Sequence, residues 1–350
     1  MQIIKTALLA YGGSGKLFHA PFLNVHNGFK LIGAWERSKK NIQHDYPDAK
    51  SFDTLEEILA SDAQLIIVNT PIYTHYEYTK KALEAGKNVL VEKAFTSTSE
   101  EAKMLDNIAK EKNLKLCVYQ NRRWDSDFLT VQKVLQGGEL GEILEAEIRF
   151  ERYNPNLSPK AWKEKKQPGS GILMDLGAHI IDQALVLFGW PEAVFADIRN
   201  LRPTTQVNDF FDILLYYPNN RVRLKATFFA KEPLPGYVLQ GRNGSFIKMR
   251  GDVQEDELKL GKTPNRSSWG TEDSENQGLI NIGDKRENLE TLQGNYLHLF
   301  DALYKSIVMD EKVPVPASDA VQSLKIMEAA EESALTGKII SLKKMTFQNA

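Results

Sequence analysis

Cysteine is almost absent from this 350-residue chain, which carries only Cys117. A single thiol excludes an internal disulfide and gives no zinc cluster. Cys117 lies in the apolar run Leu114-Lys115-Leu116-Cys117-Val118-Tyr119, which suits a buried strand thiol better than a nucleophile. An excess of charge of one sign is also missing. The 44 Lys and Arg against 46 Asp and Glu leave a formal net charge of -2. That provides no field to gather nucleic acid or an anionic membrane surface. No apolar run approaches the roughly 18 residues a membrane span needs. The opening residues, Met1-Gln2-Ile3-Ile4-Lys5, run straight into a strand pattern, without the basic segment and apolar stretch of an export signal. There is no internal repeat and no low-complexity tract. These absences predict a reducing compartment, most simply the cytoplasm.

What is present is the composition of an ordinary globular protein, 42% hydrophobic and 26% charged. The length suits two domains. Up to about residue 120, strand patterns alternate with helix patterns. Strands are expected at Ile3 to Ala10, Phe29 to Trp35, Leu65 to Val68, Asn88 to Val91 and Leu114 to Tyr119. Helices are expected from about Lys16, at Asp53 to Ala60, at Thr74 to Ala85 with a stop at Gly86, and at Ser99 to Lys112. Alternation of this kind implies parallel pairing in a doubly wound sheet. The pattern then changes. After helices at Asp127 to Gln136 and Gly177 to Phe188, strand runs follow one another with short turns, which favours an antiparallel or mixed sheet. Residues Gly251 to Glu287 read as loops, and two helices close the chain at Tyr296 to Val308 and Ser318 to Leu335. The expected domains are 1–122, a Rossmann-type α/β unit, and 123–350, an α+β unit with a large open sheet.

Between the first strand and first helix stands Ala10-Tyr11-Gly12-Gly13-Ser14-Gly15. This is the context that a phosphate-binding fingerprint requires. The register that fits places Ala10, Gly12 and Gly15 at the three glycine positions. Gly12 would let backbone approach a pyrophosphate, and Gly15 would let the helix pack against the strand. Glu36 ends the second strand, 21 residues past Gly15. An acid there suits the ribose of NAD, because it would repel a 2′-phosphate. Arg37, Ser38, Lys39 and Lys40 pull toward NADP. The balance leans slightly to NAD. Val91-Glu92-Lys93 closes another strand at the carboxyl edge where an open α/β sheet builds its ligand crevice. Asp175 and His179 are four residues apart at the start of an expected helix and share a face.

These residues resemble the glucose–fructose oxidoreductase/inositol dehydrogenase (Gfo/Idh/MocA) family nearly end to end. The similarity is carried by Gly12 through Phe22, by Asn69-Thr70-Pro71 with His75, and by Ala85 through Lys93. It continues in Gly169 through His179 with Asp182. The resemblance implies NAD(P)-dependent hydride transfer at a hydroxyl or carbonyl carbon of a sugar, inositol or related polyol. It also implies a homo-oligomer, dimer or tetramer, formed through the second domain's sheet. It makes His179 the proton acceptor or donor and Asp175 its neighbour that holds substrate and tunes the imidazole. Lys93 would hydrogen-bond the substrate oxygen. The family's Glu-Lys-Pro is Glu92-Lys93-Ala94 here, so the Lys93–Ala94 bond is either trans with Lys93 re-aimed or cis at a higher cost.

Further candidates follow from position. Ala10, Gly12, Gly13, Ser14, Gly15, Glu36, Arg37, Asn69, Thr70, Pro71, His75, Glu92 and Lys93 are the cofactor set. For His75, facing the nicotinamide and simple packing both stand. Arg123 at the domain junction reads equally as a substrate contact or an ion pair. Tyr153 and Trp162 are candidate substrate aromatics, and His19 is expected to be structural. No ligand spacing for a metal is found. A reductase acting on a keto-inositol with NADPH is the second enzyme reading. A dinucleotide-binding regulatory protein without chemistry is the rival from another class.

Overall fold

The structure is a computed structural model that describes residues 2–36, 40–159 and 161–343, with the side chains of residues 161 and 162 outside it. The chain divides into two compact units. The first is Met1–Asp125 with Asp252–Thr271 and Gln293–Val321; the second is Ser126–Gly251 with Glu272–Leu292 and Gln322–Ala350. The expected division is contiguous, whereas these units are not. Polar ties hold the later segments in the first unit. Gln254 Nε2 donates to Trp124 O, and Tyr296 Oη donates to Asp125 Oδ1 at 2.7 Å.

The first unit is built on six strands: β1 (Ile4–Leu8), β2 (Phe29–Trp35), β3 (Lys50–Phe52), β4 (Leu65–Val68), β5 (Asn88–Glu92) and β6 (Leu116–Tyr119). Their order is β3-β2-β1-β4-β5-β6, and every pairing is parallel. Helices cover both faces of such a sheet, so its strands are apolar runs with no alternation. Leu65, Ile66, Ile67 and Val68 are all buried. The helices start and stop at chemical signals. Thr98 accepts a hydrogen bond from Glu101 N, and Glu101 Oε2 accepts one from Ser97 N. The first bond satisfies a donor the first turn would otherwise orphan, and the second holds the chain as it enters the helix. Gly86, at φ 75°, ends the helix His75–Glu84. The chain winds outward one way from β1 and the other way from β4. The carboxyl ends of these two neighbours therefore flank a crevice.

The second unit carries nine strands: β7 (Ile143–Glu151), β8 (Ala193–Arg199), β9 (Phe210–Tyr216), β10 (Arg221–Thr227), β11 (Tyr237–Gly241), β12 (Gly244–Lys248), β13 (Gly278–Ile282), β14 (Lys285–Leu289) and β15 (Ile340–Ser341). The order is β14-β13-β12-β11-β7-β10-β9-β8-β15. Among the described strands of this sheet, only β7 and β10 pair in parallel. Alternation sets the faces: Val222, Leu224 and Ala226 are buried, while Arg221 and Arg223 are exposed. The helix Ala178–Phe188 packs on the buried face against β7 and β10.

The stretch Gly251 to Glu287 is not all loop. It contains a helix, Gln254–Lys259, all of β13 and the start of β14. β14 lies at the sheet edge and reads Lys-Arg-Glu-Asn-Leu, polar because one side meets water. β3 and β15 also escape the sequence reading, being too short to show a period. Among the described residues no helix is long and apolar enough to cross a membrane.

Candidate active site

The crevice of the first unit opens into a cavity of about 490 Å³. One wall is the turn after β1, with Ala10, Tyr11 and Gly12. A second is the end of β2, with Trp35, Glu36 and Asn41. A third is the turn after β4, with Thr70, Pro71, Tyr73 and Thr74. The glycines divide by role. A β-carbon added to Gly12 or Gly13 would meet nothing within 4 Å, whereas one on Gly15 would lie 2.5 Å from Ala10 O and 3.0 Å from Asn69 Nδ2. Gly12 and Gly13 thus face open space, and Gly15 is a close approach of helix to strand. The Ala10/Gly12/Gly15 register calls for open space at Gly12 and a close approach at Gly15, and a cradle bare of side chains is one that a pyrophosphate could enter. Gly15 begins a helical run, first wound as a π-turn to His19 and then α from Ala20 to Val25.

Asn69 serves this turn. Its Oδ1 accepts from Ala10 N at 2.9 Å and its Nδ2 donates to Ala10 O at 2.7 Å. Both side-chain atoms are therefore spent on the Gly-rich turn. Glu36 is only 8% exposed. Its carboxylate accepts from Asn41 N at 3.0 Å, Ile42 N at 3.2 Å and Ser51 Oγ at 3.2 Å. The acid thus caps the short helix Asn41–Asp45 while it lines the cavity. Across the turn, Asp45 accepts from Tyr11 Oη and pairs with Lys16 Nζ, both at 2.8 Å. The Lys16 hydrogen bond, seconded by His44, holds the Asp45 carboxyl well below the usual carboxylate range. Burial, with Asp45 beside it, drives the Tyr11 phenol far above its ordinary value.

At the end of β5, the Glu92 carboxylate receives Ser14 Oγ and, at 2.9 Å, His19 Nε2. Burial would raise Glu92, but the His19 and Ser14 donors outweigh it, and the carboxyl titrates below its ordinary value. Glu92 therefore ties the Gly-rich turn to the strand that leads into Lys93. His19 is fully buried, as expected of a structural residue. The Lys93–Ala94 peptide bond is cis. His75 is buried with its two ring nitrogens on Thr70 O and Phe95 O.

In the second unit, Asp175 lies in the π-turn Leu173–Gly177 and His179 in the α-helix that continues from it. Asn208 holds the start of this run: its O accepts from Ile172 N at 2.8 Å and its Oδ1 from Leu173 N at 2.9 Å. A β-carbon on Gly177 would sit 3.1 Å from Leu173 Cδ1 and 3.4 Å from the Phe211 ring. His179 is 5% exposed, with its ring 6.5 Å from that of Phe150. Asp182 is buried on the same helix.

Other candidates are placed differently. Arg123 Nη2 is paired with Asp319 at 2.9 Å. Tyr153 is half exposed, bridges Phe229 and has Lys231 over its ring. Arg37 and the Trp162 side chain lie outside the described residues. Sequence reasoning missed the cavity-lining Tyr11, Asn41, Tyr73 and Thr74. Tyr11 alone carried a signal, as the variable position inside the glycine motif. Among the described residues no group of three or more His, Cys, Asp or Glu could hold a metal ion.

A parallel six-stranded sheet with a bare glycine cradle at its switch point defines a dinucleotide-binding Rossmann domain, here joined to a second mixed-sheet unit. The chain belongs to the Gfo/Idh/MocA oxidoreductase family: residues 4–120 match its "NAD-binding Rossmann fold" and residues 132–342 its "C-terminal alpha/beta domain". It is 37% identical over 348 residues to scyllo-inositol 2-dehydrogenase (NADP(+)) IolW of Bacillus subtilis, covering 98% of this chain and 97% of that one. Glucose-6-phosphate 3-dehydrogenase of the same organism is 27% identical over 189 residues, 53% of each chain. The solved structure of an oxidoreductase from Bacillus cereus superposes with a TM-score of 0.91 at 31% identity, covering 98% of this chain and all of that one.

Proposed function

We propose that this protein is an NADP(H)-dependent dehydrogenase acting on a CH–OH carbon of an inositol or related polyol. The observation that carries the reading is the open cavity walled by Ala10, Gly12, Glu36 and Thr70, in a chain that also holds Lys93, Asp175 and His179. The two dehydrogenase relatives act on a cyclitol and a sugar phosphate by name, which supports a polyhydroxylated substrate.

The cofactor supplies the hydride acceptor or donor. What remains for the protein is the proton on the substrate oxygen. His179 takes it in oxidation and returns it in reduction. The role assigned to Lys93 is a hydrogen bond to the substrate oxygen, whose anionic form its charge favours. Asp175 holds a neighbouring hydroxyl and orients the imidazole. NADP is preferred to NAD because the Glu36 carboxylate is occupied by Asn41 N, Ile42 N and Ser51 Oγ. A carboxylate so engaged has fewer lone pairs left to accept from the ribose hydroxyls of NAD, and the relative IolW is named for NADP. The outward face of the nine-stranded sheet, with Phe195 38% exposed, is the surface through which we expect copies to pair.

The test is turnover of NADP and NAD with scyllo-inositol, myo-inositol, glucose and glucose 6-phosphate, read as NAD(P)H absorbance. His179→Ala should lower kcat by ~10²–10⁴ while NADPH affinity stays within about twofold. NADPH binding without turnover on any polyol would favour the regulatory reading. Full activity in His179→Ala would remove the assigned role.

A further inference from the structure

His75 is 1% exposed and opens the helix His75–Glu84. Its Nδ1 lies 2.9 Å from Phe95 O and its Nε2 2.7 Å from Thr70 O. Both partners are backbone carbonyls, which only accept. Each belongs to a closed turn. On one side, Thr70 Oγ1 meets Thr74 Oγ1 at 2.6 Å, Thr74 Oγ1 donates to Pro71 O at 2.6 Å, and Thr74 N donates to the same oxygen at 2.9 Å. That block is a wall of the cofactor cavity. On the other side, Phe95 N donates to Glu92 O at 3.1 Å, closing a turn with Lys93 inside it. The Phe95 side chain is fully buried, so this turn is anchored as well.

A planar ring has no internal rotor, so it fixes the separation of the two oxygens it spans. Burial pushes the imidazole pKa down, against the two carbonyls and Glu92 and with Lys93. The neutral ring carries one N–H for the two carbonyls. We infer that His75 is a positioning residue that sets Lys93 in register with the Thr70–Pro71 wall of the cofactor cavity. It touches neither reactant; it fixes the spacing of two turns that do. The inference rests on the reading of Lys93 as the group at the substrate oxygen. A displacement of order 1 Å at such a group costs up to about a hundredfold in rate.

The experiment compares His75→Phe, which keeps a flat ring and removes both contacts, with His75→Gln, which retains one donor. For each variant, kcat and KM per folded site, the pH profile of kcat and the NADPH affinity are measured. His75→Phe should lose about ten- to a hundredfold in kcat with a displaced pH limb, and His75→Gln should recover part of both. A merely structural role would lower Tm and leave kcat and the profile unchanged; that result overturns the inference. If His75→Phe does not fold, a wild-type kcat and pH profile in His75→Gln overturns it equally. A second measurement needs no turnover: labelling of Lys93 by acetic anhydride across pH, read by peptide mass spectrometry. The labelling of Lys93 should change in the variants, and an unchanged labelling curve refutes the register. Wild-type protein inert toward every polyol would count against the proposed function, while the labelling curve still decides the role of His75.

Discussion

Gly12 and Gly15 stand three residues apart in one motif, yet substituting them should do opposite things. A β-carbon on Gly15 would lie 2.5 Å from Ala10 O and 3.0 Å from Asn69 Nδ2. Ordinary contact begins near 3.4 Å, so helix and strand must part by about 1 Å. Overpacking of this kind costs ~1–3 kcal/mol. The two Asn69 hydrogen bonds to Ala10 would loosen with it, at ~0.5–1.5 kcal/mol each. Gly15→Ala should therefore lose about 2–6 kcal/mol, a fall in Tm of roughly 4–24 °C at ~2–4 °C per kcal/mol. Gly12 has open space around its Cβ direction and no left-handed φ. Gly12→Val should fold with an unchanged or slightly raised Tm, since the unfolded chain loses freedom. Its three added carbons occupy the cradle, so NADPH affinity should fall at least about tenfold, ~1.4 kcal/mol. Calorimetry and NADPH fluorescence titration on both variants separate the two effects. Undiminished affinity in Gly12→Val, or equal Tm losses in both, would refute the assignment of the cradle.

Glu36→Ser removes the cap on Asn41 and Ile42 and should cost about 0.5–2 kcal/mol while moving the kcat/KM ratio toward NADP; an unmoved ratio would show that Glu36 does not read the ribose. Asp45 has a depressed carboxyl pKa in the folded state, owing first to Lys16. Its stabilising contribution is therefore present above the unfolded value of ~3.9 and is lost as pH falls through the lower folded value. The difference in urea midpoint between wild type and Lys16→Met should be constant above about pH 5 and shrink toward pH 2. A difference that does not depend on pH would mean the contact contributes packing only.

Much of the cofactor half of the site was legible in the residues themselves. Strand lengths and the helices between them imply a parallel sheet, and such a sheet has its crevice at its carboxyl ends. Ala10, Gly12 and Gly15 then fall at the turn because the motif is local and its geometry depends on backbone alone. Gly86 as a helix stop is local in the same way. Regions whose partners are remote were not legible. β13 is a strand because β12 is there to pair with it, and β14 because β13 is, and nothing in Gly278 to Leu289 announces either.

The aim of each polar side chain belongs to the tertiary structure. Glu36 has the spacing of a ribose acid, yet it turns to Asn41, Ile42 and Ser51 once β3 lies beside β2. Asn69 reaches Ala10 across 59 residues, and Glu92 reaches Ser14 across 78. His75 finds Phe95 O only after β4 and β5 have paired. Hydrophobic periodicity and turn chemistry are properties of neighbours along the chain, so the sequence by itself determined the fold class and the place of the cradle. A hydrogen bond needs its donor and acceptor about 3 Å apart, and for groups separated by sixty or eighty residues only the packed sheet brings them to that distance.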